Sequence, residues 1–286
     1  MPRVWFITGC SSGLGRQLAI TAAKHQDRVV ATSRDPSKLS DLVDLGIIVK
    51  RLDLRSNDEE IRAVVDEVAS TVGPIDILVN NAGYVLEGAV EECSDQEIKD
   101  EFDTNVFSQI RVLRAVLPSM RARRSGVVAN LGSIGGWRGP PAVGMYCASK
   151  AAIAIYTESL RAELAPFNID VTCVEPGYFR TNVLTGGHKV TAKNRIPELD
   201  AGTQATRDAL AAYSLRQPGD PVKGAQVLFE ALTKTGRCAS RQLPGRLALG
   251  RDSIDAIGAS MAKEQAMLDS WRDIIESTDC DDVRAS

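Results

Sequence analysis

Val4-Trp5-Phe6-Ile7-Thr8-Gly9-Cys10-Ser11-Ser12-Gly13-Leu14-Gly15 is an apolar run that breaks into three glycines and then into a helical pattern carried by Leu18, Ala19, Ala22 and Ala23. Strand, glycine turn and helix, in that order, make a cradle for phosphate. Glycines let the backbone approach a pyrophosphate closely, and the unpaired N–H groups and positive end of the following helix favour its charge. Taken alone, the loop fits equally well a tight turn whose glycines serve only sterics.

Further apolar runs at residues 29–32, 47–52, 75–79, 126–131 and 169–174 alternate with helical patterns. That alternation implies an α/β fold, a Rossmann-type doubly wound parallel sheet with helices on both faces. Ser56 with Glu59 and Ser94 with Glu97 have the spacing of capping boxes. The first precedes the core stripe Ile61, Val64, Val65 and Val68; the second opens a helix through Ile98, Phe102, Val106, Ile110 and Leu113. Asn105 within that helix reads as exposed, because its amide competes for backbone bonds. Further helices are expected over residues 206–215, from Asp220-Pro221, and over 252–275, with a frayed tail at 279–286. No internal linker appears, so residues 1–286 form one domain. Residues 182–215, with Gly186-Gly187 and little periodicity at their start, read as a mobile substrate-binding lid. His188 within it reads as surface polar and not as a catalyst.

The 286 residues carry a net charge of −3, which leaves no electrostatic footprint for nucleic acid. Arg121, Arg123 and Arg124 read as the solvated end of a helix. Six cysteines lie scattered without CxxC spacing or neighbouring histidines, which argues against a metal site and for reduced thiols. No apolar segment is long enough to span a membrane, and a cytoplasmic protein is expected.

Chemistry gathers at the carboxyl ends of the strands. Tyr146 and Lys150 lie four residues apart, on one face of the helix that begins there. A phenol has an ordinary pKa of about 10 and needs a nearby cation to exchange protons at neutral pH; Lys150 could be that cation. Ser133 follows the fifth strand and has access to the same edge through the Gly- and Pro-rich loop 135–144. The position where NAD sites carry a carboxylate for the ribose 2′-hydroxyl holds Ser33. Arg34 offers a guanidinium for a 2′-phosphate, with Ser12 and Arg16 near in sequence, so NADP(H) is favoured over NAD(H). Asp35, one step on, is a competing carboxylate. Asp53-Leu54 closes the third strand, where Asp53 could accept from the adenine amino group, and Asn80-Asn81-Ala82-Gly83 could line a cofactor cleft or form a plain turn.

These residues together resemble a classical short-chain dehydrogenase/reductase, in the branch of 17β-hydroxysteroid and retinol dehydrogenases. The resemblance spans roughly residues 3 to 182 and rests on 8–15, Asp53, 80–83, Asn105, Ser133, Tyr146 with Lys150, and Pro176-Gly177 with Thr181. Beyond it, Leu243-Pro244 and the final helix look like the usual last strand and tail. It implies that Tyr146 is the acid or base at the carbonyl oxygen, Lys150 lowers its pKa and bonds the nicotinamide ribose, Ser133 orients the carbonyl, and Asn105 holds a water. It further implies a pyrophosphate turn at Gly9, Ser11, Ser12, Gly13, Leu14 and Gly15. Further cofactor contacts would come from Arg34, Asp53, Leu54, Asn81, Ala82, Gly83, Pro176, Gly177 and Thr181. The expected activity is hydride transfer between NADP(H) and a ketone or secondary alcohol on a bulky, mostly apolar molecule of steroid, retinoid, polyketide or alkaloid type. Trp137, Val143, Tyr178, Phe179, Val183 and Leu184 flank the catalytic groups as substrate contacts, and a homodimer or homotetramer is expected by analogy. Two other readings keep the cleft: an isomerase or cyclase, with or without coupled reduction, and a nucleotide sensor without turnover.

Overall fold

The structure is a computed structural model that describes residues 2–280. Its elements run β1 (Val4–Ile7), α1 (Gly13–Lys24), β2 (Arg28–Ser33), α2 (Ser40–Val43), β3 (Ile48–Arg51), α3 (Asp58–Thr71), β4 (Ile77–Asn80), β5 (Val85–Glu87) and α4 (Asp95–Phe102). A π-helical turn (Asp103–Phe107) joins α4 to α5 (Ser108–Arg123). Then follow β6 (Gly126–Leu131), α6 (Gly144–Leu164), β7 (Ile169–Pro176), β8 (Lys189–Thr191), α7 (Asp200–Tyr213), α8 (Pro221–Thr233), β9 (Arg246–Leu249), α9 (Arg251–Ser270) and α10 (Arg272–Glu276).

Every residue of β1 is buried because the strand is central and covered on both sides. Trp5 and Ile7 enter one core with Leu18, Ala22, Leu228 and Phe229 of α1 and α8. Val4 and Phe6 enter the other with Ile61, Val65, Val112 and Val116 of α3 and α5. Each fully buried side chain of this size contributes about 1.5–3 kcal/mol against exposure. Seven parallel strands follow the order β3-β2-β1-β4-β6-β7-β9. The order reverses beside β1, which opens a crevice at the carboxyl ends of β1 and β4, where such sheets take ligands.

Several expectations shift. The cap of α3 is Asn57, whose side chain accepts from Glu60 N at 2.9 Å, because the Ser56 N–H already closes a turn onto Asp53 O. The Ser94–Glu97 capping box forms as read. The last strand is Arg246–Leu249, paired to β7 through Cys173↔Arg246; Leu243 is instead a core side chain and Pro244 has no N–H to give a ladder. Helix α7 starts at Asp200, ahead of the expected 206, and the final helix breaks at Trp271. Of the expected frayed tail, 281–286 lie outside the described residues.

The segment 182–215 is not loosely attached. Its strand β8 pairs in parallel with β5, and Val85 N donates to His188 O at 2.9 Å. Beneath it, Glu87 and Glu92 are almost fully buried and meet Lys189, Arg195 and Arg207 from the segment. Ala89 N and Ile196 N complete the Glu92 carboxylate at 2.8 and 3.1 Å. Removing one side of a buried ion pair leaves an uncompensated charge. Arg207→Met is therefore expected to lower stability by about 3 kcal/mol, read as a fall in the urea midpoint at constant slope; an unchanged midpoint would mean that the network does not fasten the segment.

Candidate active site

A cleft of about 600 Å³ opens at the carboxyl edge of the sheet. Gly9, Ser11, Ser12, Gly13 and Leu14 form one wall. Gly9 and Gly13 have φ of +69° and +66°, in the left-handed region, and a Cβ on Gly9 would lie 2.8 Å from the Ala82 backbone. Gly15 is buried in α1 and lies outside the cleft lining, and its missing side chain makes room for the Asn81 amide. Asn81 Nδ2 donates to Thr8 O at 2.8 Å and Gly9 O at 3.1 Å, which fixes the loop to the end of β4. Ala82, Gly83, Asp53, Leu54, Pro176 and Gly177 also line it, and Thr181 lies beside the glycine turn, its Cβ 3.6 Å from where a Cβ on Gly13 would be.

At the end of the cleft next to β2, Arg34 lines it without an ion pair among the described residues. Its competitor Asp35 is occupied: it accepts from Ser37 N at 3.1 Å and from Ser37 Oγ at 2.6 Å, capping a short turn, and that side-chain bond holds its carboxyl below the ordinary range. Arg16, expected beside the phosphate, is bound to Asp41 and to Lys38 O instead.

The catalytic candidates converge at the other end. Ser133, Tyr146 and Lys150 all line the cleft, with Ser133 8 % and Lys150 5 % exposed. Lys150 Nζ donates to Leu131 O at 2.8 Å and sits 5.7 Å from the centre of the Tyr146 ring. The phenol does not show the lowered pKa expected from Lys150. Burial pushes it well up, and the Ser133 side chain draws it partly back. Burial also pushes Lys150 down, to about 8, opposed by the nearby Glu101 carboxylate.

Asn105 is fully buried, contrary to the exposed reading, because the π-helical turn rotates it inward. Its Oδ1 accepts from Tyr84 N at 3.0 Å, and its Nδ2 faces Tyr84 O, Glu101 Oε1 (2.8 Å) and Ser149 Oγ. It lies behind the cleft wall, across Gly83 from Lys150: a Cβ on Gly83 would come 2.9 Å from Asn105 Oδ1 and 3.5 Å from Lys150 Nζ.

Glu101 is the group that the sequence reading missed. It is fully buried, and burial raises its pKa to about 8 against the pull of Lys150. Its place three residues after Ile98 and four before Asn105, on the inward face of α4, was the available signal.

On the substrate side, Val85, Val143, Cys147, Leu184 and Leu210 form an apolar cluster with Tyr146, Tyr178 and Val183. Leu210 and Cys147 are additions to the sequence list. Phe179 reaches the cleft but is mostly a core side chain. Trp137 does not line the cleft: its Nε1 donates to Glu175 at 2.8 Å and the Arg246 guanidinium stacks 3.9 Å above its ring. Among the described residues no cluster of His, Cys, Asp or Glu could hold a metal, all six cysteines are free, and no helix is long and apolar enough to cross a membrane.

Because the folded Lys150 pKa lies below its unfolded value, its burial as a cation costs stability below about pH 8, and that cost is relieved as pH rises from there toward the unfolded value. A carbon-13 NMR titration of Lys150 Cε is expected to show a midpoint near 8, moving lower in Glu101→Gln. A midpoint that Glu101→Gln leaves in place would remove the carboxylate from the site's electrostatics.

The family model for short chain dehydrogenase matches residues 3–189. An oxidoreductase of Botryotinia fuckeliana, BOA17, is 30 % identical over 282 residues, covering 96 % of this chain and 98 % of its own. Human retinol dehydrogenase 8 is 38 % identical over 62 % of this chain and 58 % of its own. The crystal structure of a short-chain dehydrogenase from Streptomyces avermitilis superposes with a TM-score of 0.88 at 37 % identity, covering 98 % of this chain and all of that one. With its glycine turn at the sheet's switch point and Ser133, Tyr146 and Lys150 in one cleft, the chain belongs to the short-chain dehydrogenase/reductase family of oxidoreductases.

Proposed function

We propose that the protein transfers a hydride between NADP(H) and a ketone or secondary alcohol on a bulky, mostly apolar small molecule. The observation that carries this is the convergence of Ser133, Tyr146 and Lys150 at one end of a cleft whose other end presents Arg34, which has no ion pair among the described residues. The cleft fits a dinucleotide: the Gly9 and Gly13 turn leaves backbone N–H groups free at the start of α1, and a side chain at either glycine would be strained. The bound nicotinamide would supply or accept the hydride.

The chain's own groups do the rest. Tyr146 Oη gives its proton to the substrate oxygen in reduction, or takes it in oxidation. Its raised pKa keeps it protonated and hence fit to donate at neutral pH. The Ser133 hydroxyl is a second donor aimed at the charge that develops on that oxygen. Its Oγ is oriented by accepting from Gly135 N at 3.0 Å. Lys150, anchored on Leu131 O, would hold the ribose hydroxyls and supply positive charge beside Tyr146, and Asn105 with Glu101 supports it from behind. Gly9, Ser11, Ser12, Gly13 and Leu14 would hold the pyrophosphate. Asp53, Leu54, Asn81, Ala82 and Gly83 would flank the adenosine and ribose, and Pro176, Gly177 and Thr181 the nicotinamide.

Cofactor preference follows from which charges are free. Arg34 is available for a 2′-phosphate, while the carboxylate next to it in sequence, Asp35, caps its own turn. The wall of Val143, Leu184, Leu210, Tyr178 and Val183 supports an apolar substrate and water exclusion around the transferred hydride.

Two substitutions separate binding from chemistry. Tyr146→Phe is expected to cut NADPH-dependent turnover by about 10²–10⁴-fold while NADPH binding stays within a few fold, measured by steady-state kinetics and calorimetry; retained turnover would take Tyr146 out of the acid–base role. Arg34→Asp is expected to move the NADPH/NADH preference by about tenfold or more toward NADH, in line with the loss of one charge-assisted phosphate contact; an unchanged ratio would place the 2′-phosphate elsewhere.

A further inference from the structure

His188 is half-buried and lines the cleft, with its Nε2 3.1 Å from the Ser12 hydroxyl of the glycine turn. Its position is imposed by the backbone and not by its side chain. Its carbonyl accepts from Val85 N at 2.9 Å and its N–H donates to Thr185 O at 3.1 Å, so the β5–β8 pairing carries the ring to this place.

The charged groups that face it are Arg34, from the end of β2, and Lys38, from the turn that follows; both act to keep the imidazole neutral, in addition to its burial. Of the carboxylates nearby, Asp41 is paired with Arg16 and Glu87 with Lys189 and Arg207, whereas Asp35 accepts from Ser37 and feels the charge of Lys38, and Asp53 lines the same cleft. Arg34 and His188, two nitrogen-bearing side chains, line the cleft, and Lys38 acts on His188 from the turn that follows β2. A protonated His188 would be repelled by Arg34 and Lys38, and an anion placed among them would relieve that repulsion. Phosphate is the anion that this cleft is built to take.

We propose that His188 is a proton-linked ligand of the cofactor's 2′-phosphate: on binding it leaves Ser12 and, as the imidazolium, bonds the phosphate together with Arg34. This rests on the NADP(H) reading and adds to it a residue from the 182–215 segment, so that the same phosphate that selects the cofactor also fastens the segment over it. A phosphate dianion reverses the local field, and the imidazole gains affinity for a proton that Arg34 and Lys38 deny it when they face it alone. At pH 7.5 His188 starts neutral, and the 2′-phosphate, with a second pKa of about 6, is already dianionic. Binding must then take a proton from solvent.

The pyrophosphate offers the same chemistry, and NADH, which lacks the 2′-phosphate, separates the two sources. The test is calorimetry of NADPH and NADH binding to the wild-type protein and to His188→Gln at pH 7.5, in two buffers of different ionisation enthalpy. Proton uptake is expected with NADPH and not with NADH. In His188→Gln the uptake should vanish and NADPH should bind roughly tenfold more weakly, with NADH within about twofold. NADPH binding without proton uptake, or uptake that survives in His188→Gln, overturns the assignment alone. Equal weakening of both nucleotides would put the ring on the pyrophosphate and also overturn it. If neither nucleotide binds the wild-type protein, the cofactor reading falls and this assignment with it.

Discussion

The carboxyl ends of β1 and β4 are held together by a small polar clamp, and the cleft exists because of it. The Thr8 hydroxyl accepts from Asn81 N and Ala82 N at 3.0 and 3.2 Å, while the Asn81 amide returns bonds to Thr8 O and Gly9 O. These bonds take up backbone groups just where the sheet's order reverses and no neighbouring strand can satisfy them. They also explain the glycines on either side. Gly9 must pass close to Ala82, and Gly15 must leave space for the Asn81 amide, so the turn is set as much by the clamp as by any ligand.

Around that frame the chain buries charge in two places, for different ends. Glu87 and Glu92 are paired with three cations from the 182–215 segment, which makes that segment part of the folded body. Glu101 and Lys150 are buried near each other without a direct ion pair among the described residues, and burial pushes both toward their neutral forms. The first arrangement is compensated and structural. The second leaves a lysine poised to titrate beside Tyr146, which suits a site where a proton must move at neutral pH.

Much of this was legible in the sequence because the central strands are buried on both faces and read as unbroken apolar runs, and because Ser133, Tyr146 and Lys150 sit at fixed distances from strand and helix ends. The departures share physical causes. A glutamate in a helix reads as solvated, so Glu101 went unseen. A π-helical turn has no residue pattern of its own, so Asn105 was placed on the outside. Val85–Glu87 is too short to signal a strand, and its partner β8 lies far along the chain, so the pairing of the 182–215 segment leaves no mark in the sequence. Trp137 lies near Tyr146 in sequence, but its indole finds Glu175 and Arg246 on the other side of its loop. Spacing puts Lys150 on the helix face that it shares with Tyr146, while the burial that acts on the phenol leaves no mark in that spacing.

The most direct measurement of the central claim is isotope transfer: NADPH deuterated at the nicotinamide C4 position, incubated with the protein and a set of bulky apolar ketones, with the products read by mass spectrometry. The account predicts deuterium on the new carbinol carbon, on one face only, with stoichiometric oxidation of the nucleotide. Tight NADPH binding with no deuterium in any product, across ketones that span the size of the apolar chamber, would contradict it.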